Sequence, residues 1–461
     1  MTLIKSISGI RGTIGGAVGE NLTPIDTVKF AAAYGSWVKQ QRNKENYRVV
    51  VGRDARISGE MIQELVMQTL AGMGINVIDI GLSTTPTVEI AVTEEHADGG
   101  IILTASHNPK QWNALKLLDA KGEFLNDQEG KKILELAEAE DFKFAEVDLL
   151  GDITKNDAYI DIHIDMVLDL PLVNEKAIQD ANFKVVVDAV NSTGGIAIPL
   201  LLDRLGVHVV KLYCTPNGEF PHNPEPLKEH LGEISALVVK EQADLGIVVD
   251  PDVDRLALIS ENGEMFGEEY TLVACADYVL SKTPGNTVSN MSSSRALRDV
   301  TEKHGGTYQA SAVGEVNVVK LMKDTNAIIG GEGNGGVIYP ESHYGRDALV
   351  GVALFLSLLA EKKLKVSELR ASYPSYYMSK KKIQLTQGLD VDGLLQKMKE
   401  KYSGENLTTI DGVKIDFAEN WVHLRKSNTE PIIRIYTEAK TQEVADELAD
   451  RFIAEINGIV A

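Results

Sequence analysis

The chain has 461 residues, of which 44% are hydrophobic and 25% charged, and its formal net charge is −21. This length predicts about three domains at roughly 150 residues each, and the composition is ordinary for a folded soluble protein. The acidic balance argues against nonspecific binding to nucleic acid and against docking on an anionic membrane, because both surfaces attract basic proteins.

The compartment is predicted from three features of the sequence. The first residues, MTLIKSISGIRG, lack the apolar core of a signal peptide. Cys214 and Cys275 are too few for a disulfide framework or a cysteine zinc site, which fits a reducing cytosol. The longest apolar stretch, 348–360, is shorter than the roughly 20 residues that cross a bilayer and predicts a buried helix. We therefore expect a cytoplasmic protein without a membrane partner.

The N-terminal part of the chain carries an early helix and two charged turns. Thr23 is a plausible N-cap and Pro24 suits the first helical position, so a helix is expected to about Gln41. Arg11 lies in a turn between Gly9 and Gly12, and GRDARISG (52–59) follows a strand-like run. Each of these charged turns, taken alone, is better explained by structure than by function, because exposed arginines are common.

A diverged internal repeat organises the first three quarters of the chain. LAGMGINVIDIGLSTTPT (70–87) has counterparts at 201–218 and, more weakly, at 301–315, each of which predicts a helix end, a glycine cap and a strand. A second strand ending in a polar loop follows each copy. Strands alternating with amphipathic helices predict α/β domains. Because ligands gather beyond the carboxyl ends of such strands, three distinctive loops are expected to converge on one cleft.

The first of these loops, TASHNP (104–109), follows the apolar run 101–103 and contains Ser106 beside His107. A serine next to a histidine at a strand end indicates a nucleophile, but the Gly-x-Ser-x-Gly turn of a hydrolase is missing. Lys116 lies ten residues beyond Ser106 and can act in proton transfer if neighbouring cations lower its pKa.

The second loop, DPDVDR (250–255), places carboxylates at Asp250, Asp252 and Asp254 directly after an apolar strand. Alternating carboxylates suit Mg²⁺, which prefers oxygen ligands. An EF-hand is a poor match, because its sixth position needs glycine and Arg255 occupies it. Arg255 instead indicates an anion near the metal, such as a phosphate. A solvated acidic turn is the alternative.

The third loop, GGEGNGG (330–336), allows the backbone to approach a ligand closely. It lacks the Gly-Lys-Ser/Thr of a phosphate-binding Walker loop. Its carboxylate, Glu332, is better suited to accepting hydrogen bonds from sugar hydroxyls. A tight turn without a ligand is the alternative.

The C-terminal segment differs from the three repeats. Short strands are expected in KKKIQLTQ, GVKIDFAENWVHLRKS and PIIRIYTEA, pairing antiparallel and closed by a helix at 442–456. Residues 372–379 around Pro374 form a reasonable domain boundary. RKSNTEP (425–431) combines cations, hydroxyls and an amide that can bind a phosphate.

Together, these motifs resemble those of the α-D-phosphohexomutase superfamily over the whole chain. The resemblance matches TASHNP to the phosphoserine loop, DPDVDR to the metal loop, GEGNGG to the sugar loop and RKSNTEP to the phosphate loop. It implies four domains around a central cleft. Three similar mixed α/β units are expected at 1–150, 151–256 and 257–372, and a smaller α+β domain at 373–461.

The resemblance also implies the chemistry of the reacting loops. Ser106 would be a phosphoserine that completes Mg²⁺ coordination with the three aspartates. Arg11 and Arg255 would offset charge in the transition state, because phosphoryl transfer depends on positioning and charge stabilisation. Lys116 would be the general acid/base toward the sugar hydroxyl, with His107 in support.

The remaining implied residues bind substrate. The sugar-binding set is Glu332, Asn334, Gly331 and Gly333. The set that binds the substrate phosphate is Arg425, Ser427, Asn428, Thr429 and Arg434. Small hexose phosphates are the expected partners of a monomer or homodimer, and a movable last domain would let the intermediate turn without escaping.

The implied reaction interconverts hexose 6-phosphate and hexose 1-phosphate through a hexose 1,6-bisphosphate, which also serves as activator. For the sugar, the glycine-rich loop and Glu315 favour a phosphoglucosamine mutase, whereas Asn428 favours a phosphomannomutase/phosphoglucomutase. We expect glucosamine phosphate as the substrate. A Mg²⁺-dependent sugar phosphatase and a non-catalytic sugar-phosphate-binding protein are the alternatives of other classes.

Overall fold

The computed structural model describes residues 2–6, 9–41, 44–384, 390–426 and 432–460. The chain divides into two units by its internal packing. The first comprises Met1–Tyr278 and Asn334–Leu369, and the second comprises Val279–Gly333 and Arg370–Ala461.

The N-terminal segment forms one seven-stranded sheet in the first unit. Its elements are β1 (Ile4–Ser6), β2 (Gly9–Thr13), α1 (Pro24–Gln41), β3 (Tyr47–Arg53), α2 (Gly59–Gly72), β4 (Ile75–Leu82), α3 (Thr85–Glu94), β5 (Gly99–Leu103), β6 (Trp112–Leu118), α4 (Asp127–Ala139) and β7 (Ile153–Lys155). The strand order is β1-β2-β6-β5-β3-β4-β7. β3 pairs parallel with β4 and β5, whereas β6 pairs antiparallel with β5. The expected early helix is confirmed in α1.

The second segment of the first unit forms a four-stranded sheet. Its elements are α5 (Tyr159–Leu168), α6 (Glu175–Ala181), β8 (Lys184–Asp188), α7 (Gly194–Arg204), β9 (His208–Leu212), α8 (Gly232–Glu241), β10 (Leu245–Val249) and β11 (Leu256–Ser260). The order is β11-β10-β8-β9, with β8 parallel to β9 and β10 and with β11 antiparallel to β10.

The third segment continues with α9 (Glu268–Lys282), β12 (Asn286–Asn290), α10 (Arg295–Lys303), β13 (Tyr308–Ser311), α11 (Glu315–Thr325), β14 (Ala327–Glu332), β15 (Gly336–Ile338), α12 (Ala348–Lys362) and α13 (Val366–Ala371). In the second unit, β12 pairs parallel with both β13 and β14. The stretch 348–360 is buried throughout as the expected helix α12.

The C-terminal segment of the second unit forms β16 (Tyr377–Gln384), α14 (Val391–Lys401), β17 (Asn406–Thr408), β18 (Val413–Asp416), β19 (Trp421–Lys426), β20 (Ile432–Ala439) and α15 (Gln442–Val460). Its antiparallel sheet has the order β16-β20-β19-β18-β17, as the alternation of short strands predicts. α15 extends to Val460 rather than ending at Ile456, because Ile459 still packs against the core that contains Ile456.

The repeat seen in the sequence is a repeat of topology. In each copy one central strand, β3, β8 or β12, lies between two parallel neighbours. The helix before one neighbour ends on a glycine with positive φ, at Gly74, Gly206 and Gly305, a conformation that costs glycine little. The other neighbour is β5, β10 or β14, and each of these strands leads into one of the loops singled out above.

Burial explains why these loops begin where they do. β5 and β10 are buried at all five positions, as expected for parallel strands covered on both faces. Each fully buried aliphatic side chain stabilises the fold by about 1.5–3 kcal/mol. Polar residues follow directly at Thr104 and Asp250, where the two strands end. The buried strands therefore fix the positions at which the two loops begin.

Candidate active site

Ser106 lies in the loop after β5 in a backbone conformation that few residues adopt. Its φ is +47°, in the left-handed region, which costs a non-glycine residue roughly 1 kcal/mol or more. Its N–H donates to Thr104 Oγ1 at 2.9 Å, and its hydroxyl donates to Asp250 Oδ2 at 2.8 Å. The serine side chain is therefore aimed at the aspartate loop.

Arg56 holds the serine loop in place. Its guanidinium donates to the carbonyl oxygens of Ser106, Asn108 (2.7 Å), Pro109 (2.8 Å) and Trp112 (3.0 Å). Its Nε donates to Asp54 Oδ2 at 2.9 Å in a fully buried ion pair. The sequence places Arg56 in a charged turn without assigning it a function, whereas the structure makes it the organiser of the loop.

The three aspartates of the loop after β10 are fully buried, and one oxygen of each is anchored by the protein. Asp250 Oδ1 accepts from the N–H groups of Asp254 and Arg255. Asp252 Oδ2 accepts from Thr85 Oγ1 and Lys116 Nζ, each at 2.6 Å. Asp254 Oδ2 accepts from Arg346 Nη2 at 2.6 Å.

The second oxygens of the three aspartates are held less firmly than the first. Asp250 Oδ2 faces the Ser106 hydroxyl, and no hydrogen-bond donor within the described residues reaches Asp252 Oδ1 or Asp254 Oδ1, although both are buried. The three carboxylates lie close enough to share one metal ion. Buried oxygens without donors, on hard ligands, fit Mg²⁺.

Crowding of carboxylates at this loop changes the pKa values of its aspartates. Burial, together with the neighbouring Asp254 and Asp252, raises the pKa of Asp250 well above its ordinary value. Burial alone would also raise the pKa of Asp252, but the Lys116 ammonium outweighs burial and holds that pKa below its ordinary value. The shift at Asp250 reflects carboxylates crowded together in a buried site, which a bound divalent cation would relieve.

The pKa of Lys116 departs from the sequence-based expectation. Burial lowers it, but Asp252 and Asp254 outweigh burial, and the net shift is upward. Lys116 Nζ lies 2.6 Å from Asp252 Oδ2 and 3.6 Å from Asp254 Oδ2. The condition of a pKa lowered by neighbouring cations is therefore not met, because Asp252 and Asp254 outweigh both burial and the charge of Arg346.

Three arginines accompany Lys116 in the first unit. Arg11 Nη1 donates to Asn108 Oδ1 at 3.4 Å, and its pKa is lowered by burial and by the charge of Arg255. Arg255 Nη1 lies 3.2 Å from Glu225 Oε1. Arg346, from the turn before α12, was not singled out in the sequence. Four cations therefore lie around three carboxylates, which suits binding of phosphate.

His107 is neutral in this environment. Burial, followed by the charges of Arg255 and Arg11, lowers its pKa well below the ordinary value. Its Nδ1 lies 3.3 Å from Ser106 Oγ. A lowered pKa makes the imidazole a weak base, so its contact with the serine oxygen is that of a hydrogen-bond partner.

The predicted sugar loop begins at the end of β14, in the second unit. Glu332 is buried, and its Oε1 accepts from Asn290 Nδ2 at 2.8 Å and from the Gly314 N–H at 3.1 Å. The Gly333 N–H donates to Ser293 Oγ at 3.1 Å, and Gly331 precedes Glu332 within β14. Asn334 belongs to the first unit, where its Oδ1 accepts from the Gly336 N–H at 3.3 Å.

Two of the predicted phosphate-binding residues form part of a row of cations. Arg425 on β19 pairs directly with Arg434 on β20, which pairs directly with Lys382 on β16. Directly opposed side chains share one face of a sheet, and like charges there are destabilising unless an anion is bound. Ser427, Asn428 and Thr429 lie outside the described residues.

Asp411 connects the two parts of the second unit that are predicted to bind substrate. Its Oδ2 accepts from the Val313 N–H at 3.1 Å and lies 3.3 Å from Arg425 Nε. Val313 directly precedes Gly314, whose N–H donates to Glu332. One carboxylate therefore binds the turn beside Glu332 by a hydrogen bond and forms an ion pair with Arg425.

Several of these residues escaped sequence reasoning for a common reason. Arg346, Thr85, Asp411 and Lys382 act through partners that are distant in the chain; Arg346 and Asp254, for example, are 92 residues apart. A signal was present for Arg346, because Gly345, Arg346 and Asp347 form a charged turn immediately before an apolar helix.

Comparison with known proteins gives consistent matches along the chain. Four family models described as phosphoglucomutase/phosphomannomutase match in order: alpha/beta/alpha domain I at 3–144, domain II at 161–263, domain III at 267–377 and the C-terminal domain at 362–455. In the part of the chain that the structure describes, every helix is too short or too polar to cross a membrane.

Individual relatives match over nearly the full length. A phosphoglucomutase/phosphomannomutase of Thermococcus kodakarensis is 37% identical over 442 residues, which cover 95% of this chain and 96% of that protein. A phosphoglucosamine/phosphogalactosamine mutase of Sulfurisphaera tokodaii is 33% identical over 461 residues, with 98% of each chain covered. A phosphoglucomutase/phosphomannomutase family protein of Burkholderia thailandensis, solved by X-ray crystallography, is 26% identical, with a TM-score of 0.84 and coverage of 99% and 98%.

Proposed function

Because this chain belongs to the phosphoglucomutase/phosphomannomutase family, in the α-D-phosphohexomutase superfamily, we propose that Ser106 carries the phosphoryl group. The protein is a phosphohexomutase, an isomerase that moves a phosphoryl group within a hexose phosphate. The observation that supports Ser106 most directly is its 2.8 Å hydrogen bond to Asp250 Oδ2, in a loop whose neighbouring carboxylates have free buried oxygens.

The reaction proceeds as two related transfers. A hydroxyl of the bound hexose phosphate attacks the phosphorus of phosphoserine 106, the serine P–O bond breaks, and a hexose 1,6-bisphosphate forms. The other phosphoryl group of that bisphosphate then returns to the Ser106 oxygen. The hydroxyl proton is taken up in the first transfer and given back in the second, so the serine ends as it began. Added bisphosphate therefore serves to phosphorylate an unmodified enzyme.

Asp250, Asp252 and Asp254 are the residues that would hold Mg²⁺ beside the phosphoserine. When bound there, the ion withdraws charge from the phosphoryl oxygens. The surrounding protein supplies the remaining charge. With Glu225, which pairs with Arg255, four carboxylates balance the four cations, while Mg²⁺ would add two positive charges against about two negative charges on the phosphoserine. The site is therefore close to neutral before the substrate binds.

Each remaining residue has a specific proposed role. Arg11 and Arg255 stabilise negative charge on the transferring group. Lys116 is the proposed general acid/base toward the sugar hydroxyl: Asp252 and Asp254 hold its proton in the structure, and a Mg²⁺ held by the same aspartates would compete for them and make that proton easier to release. His107 supports it, with Nδ1 3.3 Å from Ser106 Oγ. Arg56 keeps the loop in the geometry that phosphoryl transfer requires.

Residues of the loop after β14 and of the C-terminal sheet bind the rest of the substrate in this proposal. Glu332, with backbone groups of Gly331 and Gly333 and with Asn334 beyond them, takes the sugar hydroxyls. Arg425 and Arg434 bind the phosphate that is not reacting, together with the loop residues Ser427, Asn428 and Thr429.

For the sugar, we propose glucosamine phosphate. The buried Glu332 carboxylate can accept from the charged amino group as well as from hydroxyls, and the Sulfurisphaera relative is a hexosamine phosphate mutase. A phosphomannomutase/phosphoglucomutase is the second candidate, because the Thermococcus relative of that name is 37% identical. We further propose that the enzyme acts in the cytoplasm on small hexose phosphates, as a monomer or homodimer.

Intact-mass measurement tests the phosphoserine directly. Enzyme primed with glucose 1,6-bisphosphate should gain one phosphate on Ser106, lose it to substrate and release little inorganic phosphate. Ser106→Ala should gain none and lose nearly all turnover, while its thermal unfolding stays close to that of the wild type. Rapid release of inorganic phosphate would instead identify a phosphatase, and full activity of Ser106→Ala would overturn the role of Ser106.

A substrate panel tests the sugar. Turnover should be compared for the 6-phosphates of glucosamine, glucose, mannose and N-acetylglucosamine at equal bisphosphate and Mg²⁺ concentrations. The proposal predicts the highest kcat/KM for glucosamine phosphate. A higher value for glucose or mannose phosphate would favour the second candidate. Light scattering on the same preparation would give the oligomeric state.

A further inference from the structure

A second group of potential metal ligands lies in the first unit, separate from the three aspartates. His163 on α5 places Nε2 2.8 Å from Asp347 Oδ2, and His343 places Nε2 3.1 Å from the same oxygen. His163 and Asp347 are almost completely buried, and the His343 side chain is 14% exposed. The two imidazole rings meet edge to face, with centroids 6.3 Å apart. Three ligand atoms therefore converge on one point.

The outer atoms of all three side chains are also held. His343 Nδ1 lies 3.2 Å from Glu89 Oε2, and Thr87 Oγ1 lies 2.9 Å from His163 Nδ1. Asp347 Oδ1 accepts from the N–H groups of Leu349 and Val350 at the start of α12. Histidines that bind metals are oriented in this way, with the second ring nitrogen held by a carboxylate or another polar group.

The charge of the cluster calls for a cation. Glu89 and Asp347 are buried carboxylates, and against the effect of burial they raise the pKa of His343 to about 10. Buried charges are costly unless they are neutralised. A divalent cation placed between the three converging atoms would replace the proton that His343 takes up and would balance both carboxylates.

We propose that His163, His343 and Asp347 bind a divalent transition metal, with Zn²⁺ as the best fit. Two imidazoles and one carboxylate suit zinc, with water as a fourth ligand, whereas Mg²⁺ prefers an all-oxygen set. The site therefore differs in metal preference from the aspartate loop. Its role is structural, because none of its residues touches the reacting serine.

The position of the site gives it a specific structural role. It joins α3, α5 and the turn before α12, three elements that are distant in the chain. Arg346, which donates to Asp254 Oδ2, directly precedes Asp347. Gly345 also packs closely here, because a Cβ at that position would come within 1.8 Å of Glu89 Oε2. A metal bound at Asp347 would brace the turn that carries Arg346.

Cobalt substitution of the wild-type enzyme tests the proposal without any variant. Protein stripped with a chelator should be titrated with CoCl₂ in the presence of excess MgCl₂, which occupies the aspartate loop. The proposal predicts about one Co²⁺ bound per chain, with visible absorption typical of low-coordinate cobalt, and displacement of that absorption by ZnCl₂. Absence of any such absorption would overturn the site and leave the cluster as a hydrogen-bonded ion-pair network.

Matched variants show which residues bind the cobalt that gives the absorption. His163→Gln and His343→Gln should each abolish or strongly weaken the cobalt absorption. His222→Gln is the control, because His222 also pairs with a buried aspartate, Asp188, at 3.0 Å but has no second histidine there. Asp252→Asn should leave the cobalt absorption unchanged. If Asp252→Asn removes the signal and the two histidine variants retain it, the metal belongs to the aspartate loop and the proposal is wrong.

Discussion

Arg346 Nη2 donates a 2.6 Å hydrogen bond to Asp254 Oδ2, while the other oxygen of that carboxylate, Oδ1, is buried and receives no hydrogen-bond donor from the described residues. The arginine therefore orients the carboxylate as well as balancing its charge. One oxygen is fixed, and the other is directed toward the space shared with Asp250 and Asp252.

The first prediction concerns Arg346. Replacement by Met frees Asp254 to rotate, so the Mg²⁺ concentration for half-maximal activity should rise about 10-fold or more. Arg204→Met is the control, because Arg204 forms an exposed ion pair with Asp165 and such pairs contribute little. Titration of activity with MgCl₂ measures the effect. A lower half-saturating concentration would mean that Arg346 acts only as a cation competing with the metal.

The second prediction separates Lys116 from His107. Lys116→Gln should reduce kcat by about 10²–10⁴-fold with little change in KM, as expected when a proton-transfer group is lost. His107→Gln should have a smaller effect, because its imidazole only supports the transfer. Stopped-assay kinetics on both variants test this. The reverse order of effects would make His107 the main proton carrier.

The third prediction concerns the buried pair of Arg56 and Asp54. Arg56→Met should destabilise the protein by about 3–5 kcal/mol, because it leaves Asp54 buried without its partner. Adding Asp54→Asn to that variant should restore much of the stability. Activity should remain low in both variants, since the carbonyl oxygens of the serine loop lose their donors. Thermal unfolding and turnover, measured together, separate the two effects; recovered turnover in the double variant would contradict the positioning role.

The fourth prediction concerns the row of cations on β16, β20 and β19. Arg434→Gln should raise KM about 10-fold, since a charge-assisted hydrogen bond to phosphate is worth roughly 1.5–3 kcal/mol. The same variant should be slightly more stable, because it relieves repulsion from Arg425 and Lys382 by about 0.2–1 kcal/mol. Lys381→Gln, on the opposite face of β16, is the control. Unchanged KM in Arg434→Gln would remove Arg434 from the phosphate site.

The fifth prediction concerns pH. Burial lowers the pKa of Lys414 to about 8, from 10.5. A lysine with a lower pKa in the folded protein opposes folding while it is protonated. This penalty is full below about pH 8 and disappears as the pH rises toward 10.5.

Comparison with Lys414→Met isolates this effect from the high net charge of the protein. From about pH 7 to about pH 10, the wild type should gain up to about 3 kcal/mol of stability relative to the variant. Unfolding followed by fluorescence at both pH values gives the difference. A constant difference would mean that Lys414 keeps an ordinary pKa in the folded protein, where its ammonium lies 2.8 Å from Met291 O.

Local chemistry made much of the fold predictable. Local sequence signals predicted where several helices and strands begin or end, and the structure has them at those places. The signals are the cap at Thr23, the glycines at 74, 206 and 305, and the apolar runs before Ser106 and Asp250. The match of four motifs in order made the activity predictable as well. The domain boundaries and site roles taken from the resemblance stay predictions.

What the sequence did not reveal depends on long-range contacts. Asp119 is only three residues from Lys116 in the chain, yet the partner of Lys116 is Asp252, 136 residues away. The direction of its pKa shift therefore depends on the folded arrangement. The same holds for Arg346, whose role becomes visible only when the turn before α12 is brought against the loop after β10.

The carboxylate of Asp411 accepts a hydrogen bond from the turn beside Glu332 and also forms an ion pair with Arg425. In the proposed reaction, it fixes the span between the group that recognises the sugar ring and the group that recognises the distal phosphate. The distance between Glu332 and Arg425 would then be set by the fold. A phosphorylated sugar with a different distance between its ring and its phosphate would not bind to both residues at once.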